Sequence, residues 1–222
     1  MDKLIVFNAE SAFYFFRDPE FRAAVVSAKE LYCDSFSLSL VLKLRKIPHK
    51  RLHGPDFMHE YLAVNRSGRV AVIGGSSVAH KVIEDRFNLK YTAFFSGLVS
   101  LDDLHDLASA VERHKADMIF VCLGLRKQEL VMDALSKVSN DSSGTSIIGV
   151  GAAVDFLGGT KARSGRLWQA LGLEWFPRLI REPRMFPRIT RSAIGCFLML
   201  FNAGQLAQSE LSFARSWPFK RS

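Results

Sequence analysis

Short apolar runs alternate along this chain with longer segments of helical periodicity. Leu4 to Phe7 is the first run, and Glu10 to Ala28 after it reads as helix. Leu31-Tyr32-Cys33 is a short run ending in Asp34. Arg69 to Ile73 ends in Gly74-Gly75 and precedes a helical segment, Val78 to Phe87. Tyr91 to Phe95 ends near Gly97, ahead of a helical stretch from Asp102 to His114. Met118 to Cys122 ends at Gly124, with a helix expected over Gln128 to Val138, and Ser146 to Val150 ends at Gly151. Runs this short and this apolar are strands buried on both faces, and strands alternating with helices predict a parallel sheet covered on both sides. The expected fold is α/β: a doubly wound, mostly parallel, Rossmann-like sheet over residues 1–157, followed by a small helical appendage over 158–222.

Composition changes this picture only at its edges. The chain has 222 residues, 48% hydrophobic and 23% charged, which is ordinary globular usage and excludes a disordered chain. Thirty Lys and Arg against 22 Asp and Glu leave a net charge of +8, which points to an anionic partner. Cys33, Cys122 and Cys196 are widely spaced and odd in number, a poor basis for a disulfide framework or a zinc site, and fit a reducing compartment. The N-terminal apolar run is too short for a signal peptide. A strand that begins almost at Met1 is consistent with an N-terminal piece that is missing or dispensable. The longest apolar stretch, Ala193 to Phe201, falls short of the roughly 20 residues a spanning helix needs, so any membrane association is expected to be peripheral.

The glycines fall just after strands, where ligands of open α/β sheets bind. Gly74-Gly75-Ser76-Ser77 is the best single candidate for backbone contact with phosphate, although Gly-Gly after a strand is equally well plain turn chemistry. Asp34 would project at the same edge, as a general base or as a turn residue ahead of Ser35. His49, His53 and His59 lie near Asp56, but Pro48, Gly54 and Pro55 interrupt any helix that could align them on a metal. No Asp-x-Asp pair occurs, so a bound diphosphate would be neutralised by cationic side chains or helix N-termini. From Gly158 onward Lys161, Arg163, Arg166, Arg178, Arg181, Arg184, Arg188 and Arg191 are interleaved with Trp168, Trp175, Phe176 and Phe186. That pattern fits an anionic membrane surface, or a helical subdomain packed on the core with a solvated basic face. No nucleic-acid motif accompanies the charge. The missing GxGxxG counts against a dinucleotide-dependent oxidoreductase.

Several motifs in order carry a resemblance. Gly124-Leu125-Arg126-Lys127-Gln128-Glu129 resembles the Gly-x-Pro-Lys-Gln-Glu motif of the WecG/TagA/CpsF glycosyltransferases, glycosyltransferase family 26. Asn8-Ala9-Glu10 resembles the family's early Asn motif, and Arg51-Leu52-His53-Gly54-Pro55-Asp56 its Arg-x-x-Gly-x-Asp segment. Gly149 to Phe156, then Gly172-Leu173-Glu174-Trp175, resemble its Gly-rich strand and Gly-Leu-Glu-Trp signature. The resemblance runs from about Leu4 to Arg191.

The resemblance implies an inverting, metal-independent transferase that needs no cofactor. It would move a sugar from a UDP-sugar (N-acetylmannosamine, its uronic acid, or glucose) to a polyprenyl-diphosphate-linked acceptor at the cytoplasmic face of the bacterial membrane. Asp34 falls on the family's general base, and Arg51 and Gln128 on other active-site polar positions. Asn8, Gly74, Gly75, Gly124, Lys127, Glu129, Gly151 and Asp155 would bind the donor. Arg178, Arg181, Arg184 and Arg188 would meet the acceptor diphosphate and the membrane. The chain departs from the family at Val6 (commonly Thr), Ser35 (usually Gly), Arg126 (Pro), and Ser164-Gly165 (Ala-Pro). A catalytically inactive or non-enzymatic peripheral membrane module of the same fold is the alternative reading. The exposed apolar C-terminal stretch also leaves a homo-oligomer open.

Overall fold

The computed structural model of the chain describes residues 1–95, 104–138, 144–162, 183–208 and 213–216, with residues 165, 168, 179 and 218. Six parallel strands form one sheet: β1 (Asp2–Phe7), β2 (Glu30–Cys33), β3 (Arg69–Ile73), β4 (Tyr91–Phe95), β5 (Met118–Val121) and β6 (Ser146–Gly149). Their spatial order is β2-β1-β6-β5-β3-β4. Side chains alternate between two cores, as a pleated strand requires. Ile5, Phe7, Ala71, Ile73, Ile119, Val121 and Ile147 point to one face; Leu4, Val6, Val70, Val72, Met118, Phe120 and Ile148 point to the other.

Helices α1 (Ala9–Arg17), α2 (Pro19–Val26), α3 (Phe36–Leu44), α6 (Leu104–His114) and α7 (Lys127–Val138) contribute to the first core. Helices α4 (Gly54–Val64), α5 (Ser77–Phe87) and α8 (Ala153–Leu157) contribute to the second. The chain therefore leaves β1 for one face and the neighbouring β6 for the other, which opens a crevice at their carboxyl ends.

The helix expected from Glu10 to Ala28 is two helices. Pro19 lacks an N–H and cannot continue α1. Asp18 closes α1 through its own N–H and caps α2, its Oδ1 accepting from the Glu20 and Phe21 amides at 3.0 and 3.1 Å. Helices α3 and α4 carry no prediction above. Ser35 caps α3, and Gly54-Pro55 opens α4, with Pro tolerated in a first turn that needs no donor.

The long helix α9 (Phe186–Gln208) crosses α1 closely. A Cβ at Gly195 would lie 1.9 Å from the Ala9 carbonyl oxygen and 2.8 Å from the Phe13 nitrogen, so only glycine fits this crossing. Met199 of α9 is buried in the first core, as is Phe213, which stands edge-on to Phe7 at 5.9 Å. The Ala214 amide donates to the Leu31 carbonyl at 2.8 Å, and the Lys50 amide to that of Ala214 at 2.6 Å, so the outer edge of β2 is covered rather than left open.

A charged pair is buried at the amino end of β1. Lys3 is 2% exposed, and its Nζ donates to Asp133 Oδ1 at 2.6 Å and to the Ser27 hydroxyl. Burial raises the Asp133 pKa, but hydrogen bonds from Lys137, Lys3 and Ser27 outweigh it and bring the group down to about 2. An unfolded aspartate protonates near pH ~4, so this carboxylate stabilises the fold fully above that pH and loses the contribution as pH falls toward 2. Asp133→Asn is expected to flatten the stability curve between about pH 4 and 2 and to lower stability at pH 7. Urea melts across that range check both.

Candidate active site

The carboxyl edge of the sheet gathers the predicted residues, and hydrogen bonds stitch its turns to one another. Asn8 follows β1. Its Oδ1 accepts from the Ser11 amide at 2.9 Å while its own amide donates to Ser11 Oγ at 3.2 Å, a reciprocal cap on α1. Asp34 follows β2, and its amide donates to the Phe7 carbonyl at 3.0 Å. Arg51 pairs with the end of β2 as well. The Leu52 amide donates to the Cys33 carbonyl at 2.9 Å, and Arg51 Nη2 reaches the Asp34 carbonyl at 3.4 Å. The Arg51 guanidinium also lies over the Phe36 ring, 6.0 Å from its centroid. Asn8, Asp34 and Arg51 thus stand on three adjoining turns. Asn8 and Asp34 are half-buried, and Arg51 is exposed.

The Arg-x-x-Gly-x-Asp spacing has a packing cause. A Cβ at Gly54 would come within 3.0 Å of the Val150 carbonyl oxygen, so glycine lets the start of α4 press against the turn after β6. That turn carries Gly151 at φ +57°, in the left-handed region that favours glycine. Its amide donates to Gln128 Oε1 at 3.1 Å. Gln128 Nε2 donates in turn to Glu129 Oε1 at 2.8 Å, and the Arg126 amide donates to Glu129 Oε2 at 2.8 Å. Gln128 and Glu129 are buried, while Lys127 stands exposed at the start of α7. Gly124 and Gly151 have open space where a Cβ would lie, so a ligand can approach their backbone closely.

Gly74 and Gly75 differ from this. Both have positive φ, but a Cβ on Gly74 would strike the Cys122 carbonyl oxygen at 2.4 Å, and one on Gly75 would strike Val154 at 2.4 Å. They are glycine because the turn after β3 is packed tightly. His80 supports that turn, its Nε2 donating to the Gly74 carbonyl at 2.6 Å while its ring stacks on Phe94 at 4.4 Å. Asp155, in the first turn of α8, pairs with Lys161. Arg178 and Arg181 lie outside the described residues. Arg184 is exposed, and Arg188 Nε pairs with Glu10 Oε2 at 2.7 Å. Arg191 binds the other oxygen of Glu10 at 2.8 Å. Glu10 is 4% exposed, a buried carboxylate neutralised by two guanidinium groups from α9. Arg188 and Arg191, spaced by three along the sequence, are the only trace of this contact legible beforehand.

Each departure from the family pattern also has a place. Val6 is buried in the second core. Ser35 Oγ accepts from the Ala9 amide at 3.2 Å and the Leu38 amide at 3.3 Å, which ties the Asp34 turn to the Asn8 turn. Arg126 sits at φ +73°, and its side chain binds Asp18 at 2.6 Å and Glu20 at 2.9 Å across the α1–α2 corner. Of the remaining departure, Ser164 lies outside the described residues, while Gly165 is described.

Burial pushes the Cys33 and Cys122 thiols up to about 12, so both stay protonated at neutral pH and neither serves as a nucleophile. Among the described residues, no three His, Cys, Asp or Glu side chains are grouped as metal ligands. Groups at this edge that can meet an anion include the Arg51 guanidinium, the Lys127 ammonium and the open backbone at Gly124.

A proline is fixed near φ ~−65° and has no N–H. Arg126→Pro is therefore expected to lose about 3 kcal/mol of stability, removing the donor to Glu129 and opposing the turn. Arg126→Gly keeps the turn and loses only exposed ion pairs, at a cost of about 1 kcal/mol or less. Thermal denaturation of the two variants separates backbone from side chain.

These turns are arranged in the order of the motifs read above. The chain matches the model of the glycosyl transferase WecG/TagA/CpsF family over residues 2–210, nearly its whole length. This chain belongs to the WecG/TagA/CpsF glycosyltransferase family.

Proposed function

We propose that the carboxyl edge of β1, β2, β5 and β6 transfers a sugar from a UDP-sugar to a polyprenyl-diphosphate-linked acceptor, with inversion and without a metal ion, in cell-surface polysaccharide synthesis. The observation that carries this reading is the convergence of Asn8, Asp34 and Arg51 on adjoining turns, beside the open backbone of Gly124 and Gly151. Asp34 accepts the proton of the acceptor hydroxyl. The hydroxyl oxygen forms its bond to the anomeric carbon as the bond to the diphosphate breaks, and UDP departs with the electron pair. Arg51 and the Gly124 amide meet the charge that develops on the leaving diphosphate. Lys127 and Asp155 border the donor, and Gln128 holds the Gly151 turn in place. The sugar is N-acetylmannosamine, its uronic acid or glucose.

The acceptor's lipid calls for a membrane surface. No helix among the described residues is long and apolar enough to cross a membrane. Phe186, Phe197 and Phe201 of α9 are each more than 60% exposed, and α3 adds Phe36, Leu40 and Leu44 at helical spacing. Lys43, Arg45 and Lys46 are exposed at the end of α3. Cys196 of α9 hydrogen-bonds Ser37 of α3, so these two faces are neighbours. Apolar side chains edged by cations fit the boundary of an anionic leaflet. Because α3 starts beside Asp34, docking through this surface puts the base at headgroup level. Arg184 adds to the basic surface, and Arg188 reaches the acceptor diphosphate from its place beside Glu10.

Asp34→Asn is expected to lower transfer about 10²- to 10⁴-fold with UDP affinity nearly unchanged. A panel of UDP-sugars with a polyprenyl-diphosphate-linked acceptor, assayed with and without EDTA, reads this directly. Transfer that survives the substitution would remove Asp34 as base, and UDP binding without transfer from any donor would favour the non-catalytic module. A Phe197→Ser/Phe201→Ser variant is expected to bind anionic vesicles about tenfold more weakly than wild type. Sedimentation with anionic and neutral vesicles checks it, and equal binding of both proteins to both would remove α9 from the surface.

A further inference from the structure

We propose that Glu129 is a positioning residue of the donor site: its buried carboxylate sets the backbone of the turn after β5 and, through Gln128, that of the turn after β6. The proposal rests on the reading of this edge as the donor site. It goes beyond that reading in taking Glu129 away from the ligand and making it the shared anchor of the two open glycine turns.

The geometry is specific. Glu129 is 1% exposed. One oxygen accepts the Arg126 amide, which fixes the left-handed residue of the β5–α7 turn two positions after Gly124. The other accepts Gln128 Nε2, which orients the amide so that its Oε1 receives the Gly151 N–H. Gly149 completes the brace: a Cβ there would lie 3.0 Å from the Gln128 amide carbon, so glycine leaves the room that Gln128 fills. A carboxylate accepts at both oxygens. A carboxylic acid turns one of them into a donor facing another donor, and one of the two bonds is lost.

That loss falls in the neutral range. Burial raises Glu129 to about 7, against hydrogen bonds from Gln128, its own amide and Arg126, and the charge on Glu10 raises it further. The charged groups around it are Glu10 on α1, which holds Arg188 and Arg191 of α9, and the Arg126 guanidinium, which turns away to Asp18 and Glu20. Because the folded pKa lies above the unfolded value, the group favours folding at low pH and loses that contribution as pH rises from about 4.5 through 7. The turns are held by both bonds only above that range. Order at the donor edge is therefore gained at some cost in stability.

The test follows the Arg126 and Gly151 amides by ¹H–¹⁵N NMR between pH 5.5 and 8.5, in the full chain, without ligand and beside E129Q. The expected result is a common midpoint near 7 in the wild type and flat profiles in the variant. UDP affinity measured at each pH as a ratio of the two proteins, which cancels the nucleotide's own ionisation, is expected to fall in the variant by roughly fivefold to tenfold at high pH and little at low pH. Wild-type amides that do not titrate overturn the brace, and this arm stands even if E129Q fails to fold. A folded E129Q that loses transfer with amides and UDP affinity unchanged overturns positioning, because Glu129 would then act on the reacting atoms. Titrating amides in a protein with no UDP affinity would leave the brace and remove the donor-site reading instead.

Discussion

Every strand of an all-parallel sheet ends at the same edge, and the polar backbone released there must find partners. This constraint organises the molecule. The turns are too close together to be served by water alone, so each borrows a group from its neighbour. Ser35 after β2 accepts the Ala9 amide at the start of α1; Gln128 after β5 accepts the Gly151 amide after β6; His80 on α5 donates back to the Gly74 carbonyl after β3. The satisfaction of buried backbone groups and the rigidity of a site are here one arrangement. The direction of these turns is set by bonds within the protein, which is the condition for electrostatic stabilisation without reorganisation.

The strands were legible because a fully buried strand has to be continuously apolar, and four to six such residues ahead of a glycine or aspartate admit few other readings. The helices were legible only where their apolar stripe was uninterrupted. Helix α3 escaped because Leu38, Val41 and Leu42 face the core while Phe36, Leu40 and Leu44 face outward, which erases the amphipathic contrast that marks a helix. The break at Asp18 was written in Asp18-Pro19 but hidden inside a long helical pattern. Packing across the fold decided the rest: no local signal announces that Gly195 must clear the Ala9 carbonyl or that Phe213 lies against Phe7.

The site shows the same division. Asn8 and Asp34 are legible as candidates because they follow strands, and Arg51 because its motif is local. Glu129 is legible as a motif residue but its burial is not, since a glutamate in a first helical turn is usually solvated at the helix dipole. Its burial depends on Gln128, Gly149 and α1 together. Gly74-Gly75, legible equally as a phosphate contact or as a plain turn, is tightly packed, whereas Gly124 and Gly151 are open.

The crossing of α9 over α1 also bears on how the protein is made. The corner that carries Asn8 and Asp34 belongs to the first fifth of the chain, yet it is braced by Arg188, Arg191, Gly195 and Phe213 from the last fifth. During synthesis from the N-terminus, β1 and β2 can pair early, but Glu10 stays an unneutralised carboxylate until α9 has left the ribosome. Contacts of such long sequence separation are slow to close. The corner after β1 and β2 is thus the last part of the molecule to set, and a nascent chain presents a formed sheet before it presents a finished corner.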